Sequence, residues 1–461
     1  MQIYSLTVLK GMAKMNILKV GFSRIAVTPE MGIDISGYFV KRSAEGVLDE
    51  LYANAIALEC GSDRAVMICV DNLGFNQEIM KTYRERVSAR CDLPVEGVLI
   101  SCTHTHTGPS VKKGVGEEVD RYIEYLSDRL LIVASAAIDD LKAAKMGFGT
   151  GIAPGIAFVR RFRMADGSIK TNPGVNNPDI VAPIGDVDER VHVLRFDREG
   201  ADTVVLVGFG CHPDVVGGCK ISADWPGFVR STVEKVIDNT KCIFFNGAEG
   251  DVNHVNVHPT GGFLNDMFMD FDDVSRGYGH ARYMGRVVAA GVLQAFDKVQ
   301  YADVDSLKCI NKVMRVPSNK PSPEELPEAR RIKELHEAGR DHELPYSGMM
   351  VTTVVAEALR MVRLENAPDS FDMTLTGIKL GNVAIIGIPG EPFTGIGRAI
   401  KDSEGYDMIV PTCCTNGYEG YFPMKDSYDE GGYEARSSNF RAGVAEFIIE
   451  EGKALLKEMA D

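Results

Sequence analysis

Short, continuous apolar runs recur along this chain, and several stop at residues able to do chemistry. Ala65-Val66-Met67-Ile68-Cys69-Val70 ends at Asp71-Asn72. A run apolar at every position predicts a strand covered on both faces, and strands of that kind belong to sheets flanked by helices. Val98-Leu99-Ile100 leads into Ser101-Cys102-Thr103-His104-Thr105-His106-Thr107-Gly108-Pro109. Thr203 to Phe209 leads into Cys211-His212-Pro213. Cys242-Ile243-Phe244-Phe245 leads into Asn246-Gly247-Ala248-Glu249-Gly250-Asp251-Val252-Asn253-His254. Leu375 to Ile388 alternates, turns apolar and reaches Pro389-Gly390-Glu391-Pro392. Helix-period stretches lie between, near 76–90, 117–142, 225–238, 280–297, 394–402 and 440–459. The fold class read from this pattern is α/β, a mixed β-sheet core flanked by helices. Its site is expected at the carboxyl ends of strands, where open α/β sheets hold their ligands.

Bulk properties narrow the function. Asp plus Glu number 65 against 50 Lys plus Arg, a net charge of −15. With no basic excess to release counterions, general binding to nucleic acid or an anionic membrane is not expected. No stretch approaches the eighteen apolar residues of a membrane span. Met1 to Lys19 lacks a continuous apolar core and cleavage site, so no signal peptide is read, and Met12 and Met15 are alternative starts. The ten cysteines are scattered, with no CxxC, and several sit inside apolar runs. They read as buried free thiols of a cytoplasmic protein. The domain reading is a tail over 1–17 and one catalytic domain over 18–461. Within it, the acidic, Gly-punctuated segment 257–279 reads as a lid or insertion, and 316–340 as a helical excursion. Residues 151–185, rich in Gly, Pro and Asn, read as loop with Arg160-Arg161 inside it.

The strand-end residues make a constellation. In an extended chain His104 and His106 project from one face, about 7 Å apart. His212, the group Asp251/Asn253/His254, and Glu391 end other strands, and a Gly-rich loop carries Tyr421 and Tyr433. Two histidines and a carboxylate with an open position form an ordinary catalytic zinc set. Each member also has a plain structural role open to it. His212 could cap a strand, Glu391 could complement a helix start, the tyrosines could be packing aromatics, and Arg160 could be a loop charge. Asp251 reads as a turn carboxylate, and His254 and His258 as surface or lid residues.

Four motifs in this order resemble the catalytic domain of the neutral/alkaline (non-lysosomal) ceramidases. They are Thr103-His104-Thr105-His106-Thr107-Gly108-Pro109, Gly250-Asp251-Val252, Pro389-Gly390-Glu391-Pro392 and Asn416-x-Tyr-x-x-Tyr421 followed by Tyr433-Glu434. The resemblance spans roughly 18–445. It implies a zinc amidase with one Zn2+ per chain, held by His104, His212, Glu391 and Tyr421. It implies His106 as an acid/base or carbonyl-polarising group, and Arg160 and Tyr433 as donors to the developing oxyanion. Where ceramidases carry serine after Gly-Asp-Val, this chain carries Asn253, which cannot serve as a nucleophile. The expected attack is therefore by metal-activated water, with Asn253 in the catalytic group. The ceramidases are secreted or lumenal and carry a further C-terminal β-domain, for which no sequence is seen here. The expected substrate is thus a small soluble amide, ester or lactone, not membrane-buried ceramide. Two other readings stay open: a metal-dependent isomerase or lyase on a carbonyl or sugar-acid substrate, and a non-catalytic ligand-binding protein. Homo-oligomerisation is left open as well.

Overall fold

Strands that are apolar at every position need cover on both sides, and the architecture provides it in four layers. The computed structural model describes residues 16–461; apart from Asn16 and Ile17, the tail expected over 1–17, with Met12 and Met15, lies outside them. Among the described residues the large sheet has nine strands. They are β1 (Leu18–Ala26), β2 (Tyr52–Cys60), β3 (Asp63–Val70), β4 (Val98–Cys102), β5 (Lys142–Ile152), β6 (Arg190–Arg198), β7 (Thr203–Phe209), β8 (Thr240–Asn246) and β9 (Gln300–Ala302). Their order is β8-β7-β6-β5-β1-β2-β3-β4, with β9 paired to β5. The inner pairings are antiparallel. The two outermost pairs, β3/β4 and β7/β8, are parallel. Helix α1 (Gln77–Cys91) connects the first of these pairs. α2 (Glu117–Asp139) follows β4, α3 (Asp224–Val236) connects the second pair, and α4 (Tyr278–Phe296) follows it.

After β9, a second sheet forms from β10 (Leu307–Pro317), β11 (Ser370–Leu380), β12 (Val383–Gly387) and β13 (Met408–Thr412), in that spatial order. Between β10 and β11 the chain makes α5 (Leu326–Glu337) and α6 (Met349–Leu364). β12 and β13 are again parallel and are connected through α7 (Thr394–Lys401); α8 (Val444–Ala460) ends the chain.

Alternation along each strand divides its side chains between two cores. In β3, Val66, Ile68 and Val70 pack with Ile79 and Tyr83 of α1 and Leu126 and Leu130 of α2. Ala65, Met67 and Cys69 face the other way, toward Ile378, Ile385 and Val410 of the small sheet. In β8, Cys242 and Phe244 meet Val229 of α3 and Val288 of α4, while Ile243 and Phe245 join the core between the sheets. The far face of the small sheet packs on α7 and α8. Each fully buried aliphatic side chain stabilises this arrangement by about 1.5–3 kcal/mol.

Three local expectations are corrected. The helix expected over 117–142 ends at Asp139, and the chain turns at once into β5, a strand the sequence reading misses. β5 contains Gly147, Gly149 and Gly151, which lower strand propensity but let α4 lie close. A Cβ on Gly151 would stand 1.9 Å from the Gly291 carbonyl oxygen. The run from Leu375 to Ile388 is two strands, β11 and β12, joined by a two-residue hairpin with Gly381 at φ +55°. The loop expected over 151–185 contains short strands, among them Phe158–Val159, which pairs with Val252–Asn253.

Candidate metal centre

Parallel strand pairs deliver the expected residues to one place. His104 lies just beyond β4 and His212 just beyond β7; Glu391 follows β12 and Tyr421 follows β13. Glu391–Pro392 and Tyr421–Phe422 form a short parallel pair with Glu391 opposite Tyr421, so backbone pairing sets carboxylate and phenol side by side. His104 sits at φ +71°, a left-handed conformation that non-glycine residues rarely adopt. Its N–H donates to Asn72 O at 2.9 Å. Asn416 ties the layers together by accepting from Ile100 N at 2.9 Å.

The donor atoms converge. Glu391 Oε2 lies 3.1 Å from His212 Nε2 and 3.5 Å from His104 Nε2. Tyr421 OH is 3.3 Å from His212 Nε2. His106 Nε2 is 3.4 Å from His104 Nε2, so the second histidine of the pair also faces this point. His104 Nδ1 stands 2.8 Å from Leu73 O. His212 Nδ1 stands 2.8 Å from Glu249 O and 3.1 Å from Val252 O. Carbonyls only accept, so each Nδ1 carries the proton and each Nε2 turns a lone pair inward. Glu391 Oε1 accepts from Tyr418 OH at 2.8 Å, which leaves Oε2 aimed at the imidazoles.

Three acceptors facing one another without a proton between them repel. A divalent cation removes the repulsion, and imidazole, carboxylate and phenol are ligands it takes. Without a cation, protons take its place. Burial disfavours charge on His212, yet Glu249 and Glu391 raise it to about 9. Burial likewise opposes charge on His104, and Glu391 outweighs it. Burial pushes the Glu391 carboxyl up, but the two imidazoles hold it well below its usual range. His106 goes the other way: burial, with His104 and His212 adding to it against Asp214, keeps it neutral.

Arg160 and Tyr433 join the cluster. Arg160 NH1 is 3.3 Å from His212 Nε2, and its guanidinium carbon lies 5.2 Å from the Tyr421 ring centre and 6.0 Å from that of Tyr433. A buried ion pair to Glu434, 2.6 Å from Nε, holds it there, together with a 2.8 Å bond to Gly250 O. The Tyr421 and Tyr433 rings lie 5.5 Å apart. Asn253 is buried nearby, but its amide is committed elsewhere: Nδ2 donates to Asn172 Oδ1 at 3.0 Å and Oδ1 accepts from Val255 N at 2.9 Å. Asp251 accepts from the N–H and the hydroxyl of Thr394, each at 2.7 Å, at the start of α7. His254 is buried, not exposed, and bonds Ser275 O.

Sequence reasoning passes over two acids. Glu249, fully buried, puts Oε2 2.7 Å from His212 Nδ1. Asp214 lies 3.7 Å from His106 Nδ1 and accepts from Tyr38 OH at 2.5 Å and from Arg276 at 3.1 and 3.0 Å. The only sequence signal for either is a carboxylate within a few residues of an apolar strand's end. Arg276, inside the segment 257–279, is fully buried. A cleft of about 900 Å³ opens beside Tyr433, lined also by Lys170, Asn172, Asp273, Tyr346 and Arg436.

No described protein family matches this chain, and no curated protein matches it in sequence. Solved structures do match. Neutral ceramidase from Pseudomonas aeruginosa superposes with a TM-score of 0.70 at 16% identity, over 96% of this chain and 75% of that one. The fold is that of neutral ceramidase. A ceramidase complexed with C2 gives a TM-score of 0.69 at 15% identity, over 96% of this chain and 76% of that one. The likeness to the ceramidases read from the motifs therefore holds in three dimensions. This chain carries a mixed α/β core with helices outside, as the apolar runs predict.

Proposed function

We propose that this chain is a zinc-dependent hydrolase of the ceramidase type that cleaves an amide, ester or lactone bond of a small soluble substrate. One observation carries the reading: the inward lone pairs of His104 Nε2, His212 Nε2 and Glu391 Oε2, gathered with Tyr421 OH and with both Nδ1 protons spent on carbonyls. His104, His212, Glu391 and Tyr421 would hold one Zn2+. A divalent cation so held supplies Lewis acidity and lowers the pKa of a coordinated water from 15.7 to about 7.

The chain's own residues do the rest. His106, kept neutral by burial, faces the same point and accepts or returns a proton at Nε2. Arg160 and Tyr433 donate toward the oxygen on which negative charge develops, where one lost donor typically costs about 10²–10³ in rate. Asn253 holds Asn172 in the cleft wall, a positioning task in place of a nucleophile's. The cleft wall is mixed, with Lys170, Asn172, Asp273 and Arg436 beside Ile169, Met269, Met349 and Met350, and so suits a small molecule with both polar and apolar parts. In this reading 18–461 act as one catalytic unit in the cytoplasm, with 257–279 contributing Met269 and Asp273 to the cleft wall.

The test starts from metal content. Protein expressed without added metal and dialysed is expected to hold near-stoichiometric zinc. His104→Ala should lose it; His106→Ala should keep it and lose turnover on a panel of N-acyl amino acids, lactones and short-chain amides. Product masses raised by one water are expected. Absent zinc, or equal metal loss in both variants, refutes the assignment.

A further inference from the structure

We propose that Glu249 is a positioning residue for the metal site, the negative partner on the far side of the His212 ring. This rests on the metal reading above and assigns a role to a residue outside the donor set. Glu249 is fully buried in Gly247-Ala248-Glu249-Gly250, just past β8. Its Oε2 lies 2.7 Å from His212 Nδ1, an ion-pair distance, while the Nδ1 proton points to the backbone carbonyls of Glu249 and Val252. Among the described residues neither carboxylate oxygen has a hydrogen-bond partner. Among the described residues no lysine or arginine pairs with it, because Arg160, the nearby cation, is paired to Glu434.

A buried carboxylate without a counter-charge is costly. The carboxylate lies against the Nδ1 edge of the His212 ring, with an oxygen within 4.8 Å of ligand atoms of His104, His212 and Glu391. A dication bound at Nε2 supplies the missing charge through the ring, and the carboxylate in turn makes His212 a more basic ligand, as acidic partners of metal-binding histidines do. The charges agree. Glu391 and Glu249 carry two negative charges, Arg160 and Glu434 cancel, and one dication makes the cluster neutral. The wall behind Glu249 is Cys413 and Cys414, with the sulfur of Cys414 3.5 Å from His104 Nδ1, and it brings no cation.

The experiment measures zinc affinity of the full chain by competition with a chromogenic chelator, for wild type, Glu249→Gln and Glu249→Asp. Metal-free unfolding midpoints are measured alongside. Glu249→Gln is expected to weaken zinc binding about 10–100-fold and to move the metal-free midpoint little, since His212 keeps Glu391 as its charged partner. A residue that merely fills space would lower the midpoint and leave affinity alone. Glu249→Asp, with its charge kept and its carboxylate withdrawn from the ring, is expected to fall between the two. Affinities within twofold of wild type in both variants overturn the proposal but not the metal site. So does failure of both variants to fold, or a second zinc in the wild type that Glu249→Gln removes. A wild type that binds no zinc overturns both readings.

Discussion

The Arg160–Glu434 pair can be broken from either side, and the structure fixes what each break leaves behind. The side chains are 7% and 0% exposed, and Nε meets Oε1 at 2.6 Å. In Arg160→Met, Glu434 keeps a 2.9 Å bond from the Thr171 hydroxyl and an Arg161 nitrogen at 3.9 Å, too far for a hydrogen bond. In Glu434→Gln, the guanidinium keeps Gly250 O but faces His212 with no anion to balance it. Removing one partner of a buried pair costs about 3–5 kcal/mol, whereas replacing both with neutral groups is often close to neutral. Independent effects would sum to about 6–10 kcal/mol in the double variant. The pair instead predicts a double variant no less stable than the worse single one, a coupling of several kcal/mol. The assay is urea unfolding of metal-free protein followed by the emission of Trp225, the chain's single tryptophan. That ring is fully buried and donates to His212 O at 3.3 Å, so it reports on the site as well as the core. Additivity within about 0.5 kcal/mol would refute the claim that these groups exist as a compensated pair.

Gly151→Ala should cost about 1–3 kcal/mol, because the new methyl meets backbone of α4 that cannot rotate away. Gly149→Ala, whose Cβ would stand 3.2 Å from the Ala295 methyl, should cost less than Gly151→Ala, and thermal unfolding compares the two. Burial depresses two histidines away from the site, His192 to about 3 with help from Lys401 and Arg190, and His254 to about 4. The unfolded chain then binds protons that the native one does not, so stability falls as pH drops below about 6.5, by about 1.4 kcal/mol per unit per histidine. Urea midpoints between pH 7.5 and 5 should therefore slope less steeply in His192→Asn, and an unchanged slope would show that His192 titrates normally.

How much of this was legible beforehand depended on whether a residue acts through its neighbours in sequence. Runs such as Ala65 to Val70 carry their own cover requirement, so the layered sheet could be read from them. His104, His212 and Glu391 could be read because each sits just past an apolar strand, a position that local pattern exposes. β5 could not, since its alternate glycines look like a loop until α4 is known to lie against them. Glu249 and Asp214 were hidden for a related reason. A carboxylate gains meaning from the imidazole it meets, and those imidazoles lie 37 residues away or across a separate loop.

The groups nearest the donor cluster and the groups that shape the cleft come from different parts of the chain. Histidines, carboxylate and phenol hang from strand ends locked between two cores. The cleft is walled by 168–177, 346–353 and 430–436, with Met269 and Asp273 from the insertion. Tyr433 touches both. Such a division lets the rim be rebuilt, lengthened or exchanged with the donor spacing undisturbed. Grafting rim segments between proteins of this architecture should therefore redirect which molecule is accepted, and leave what is done to it alone.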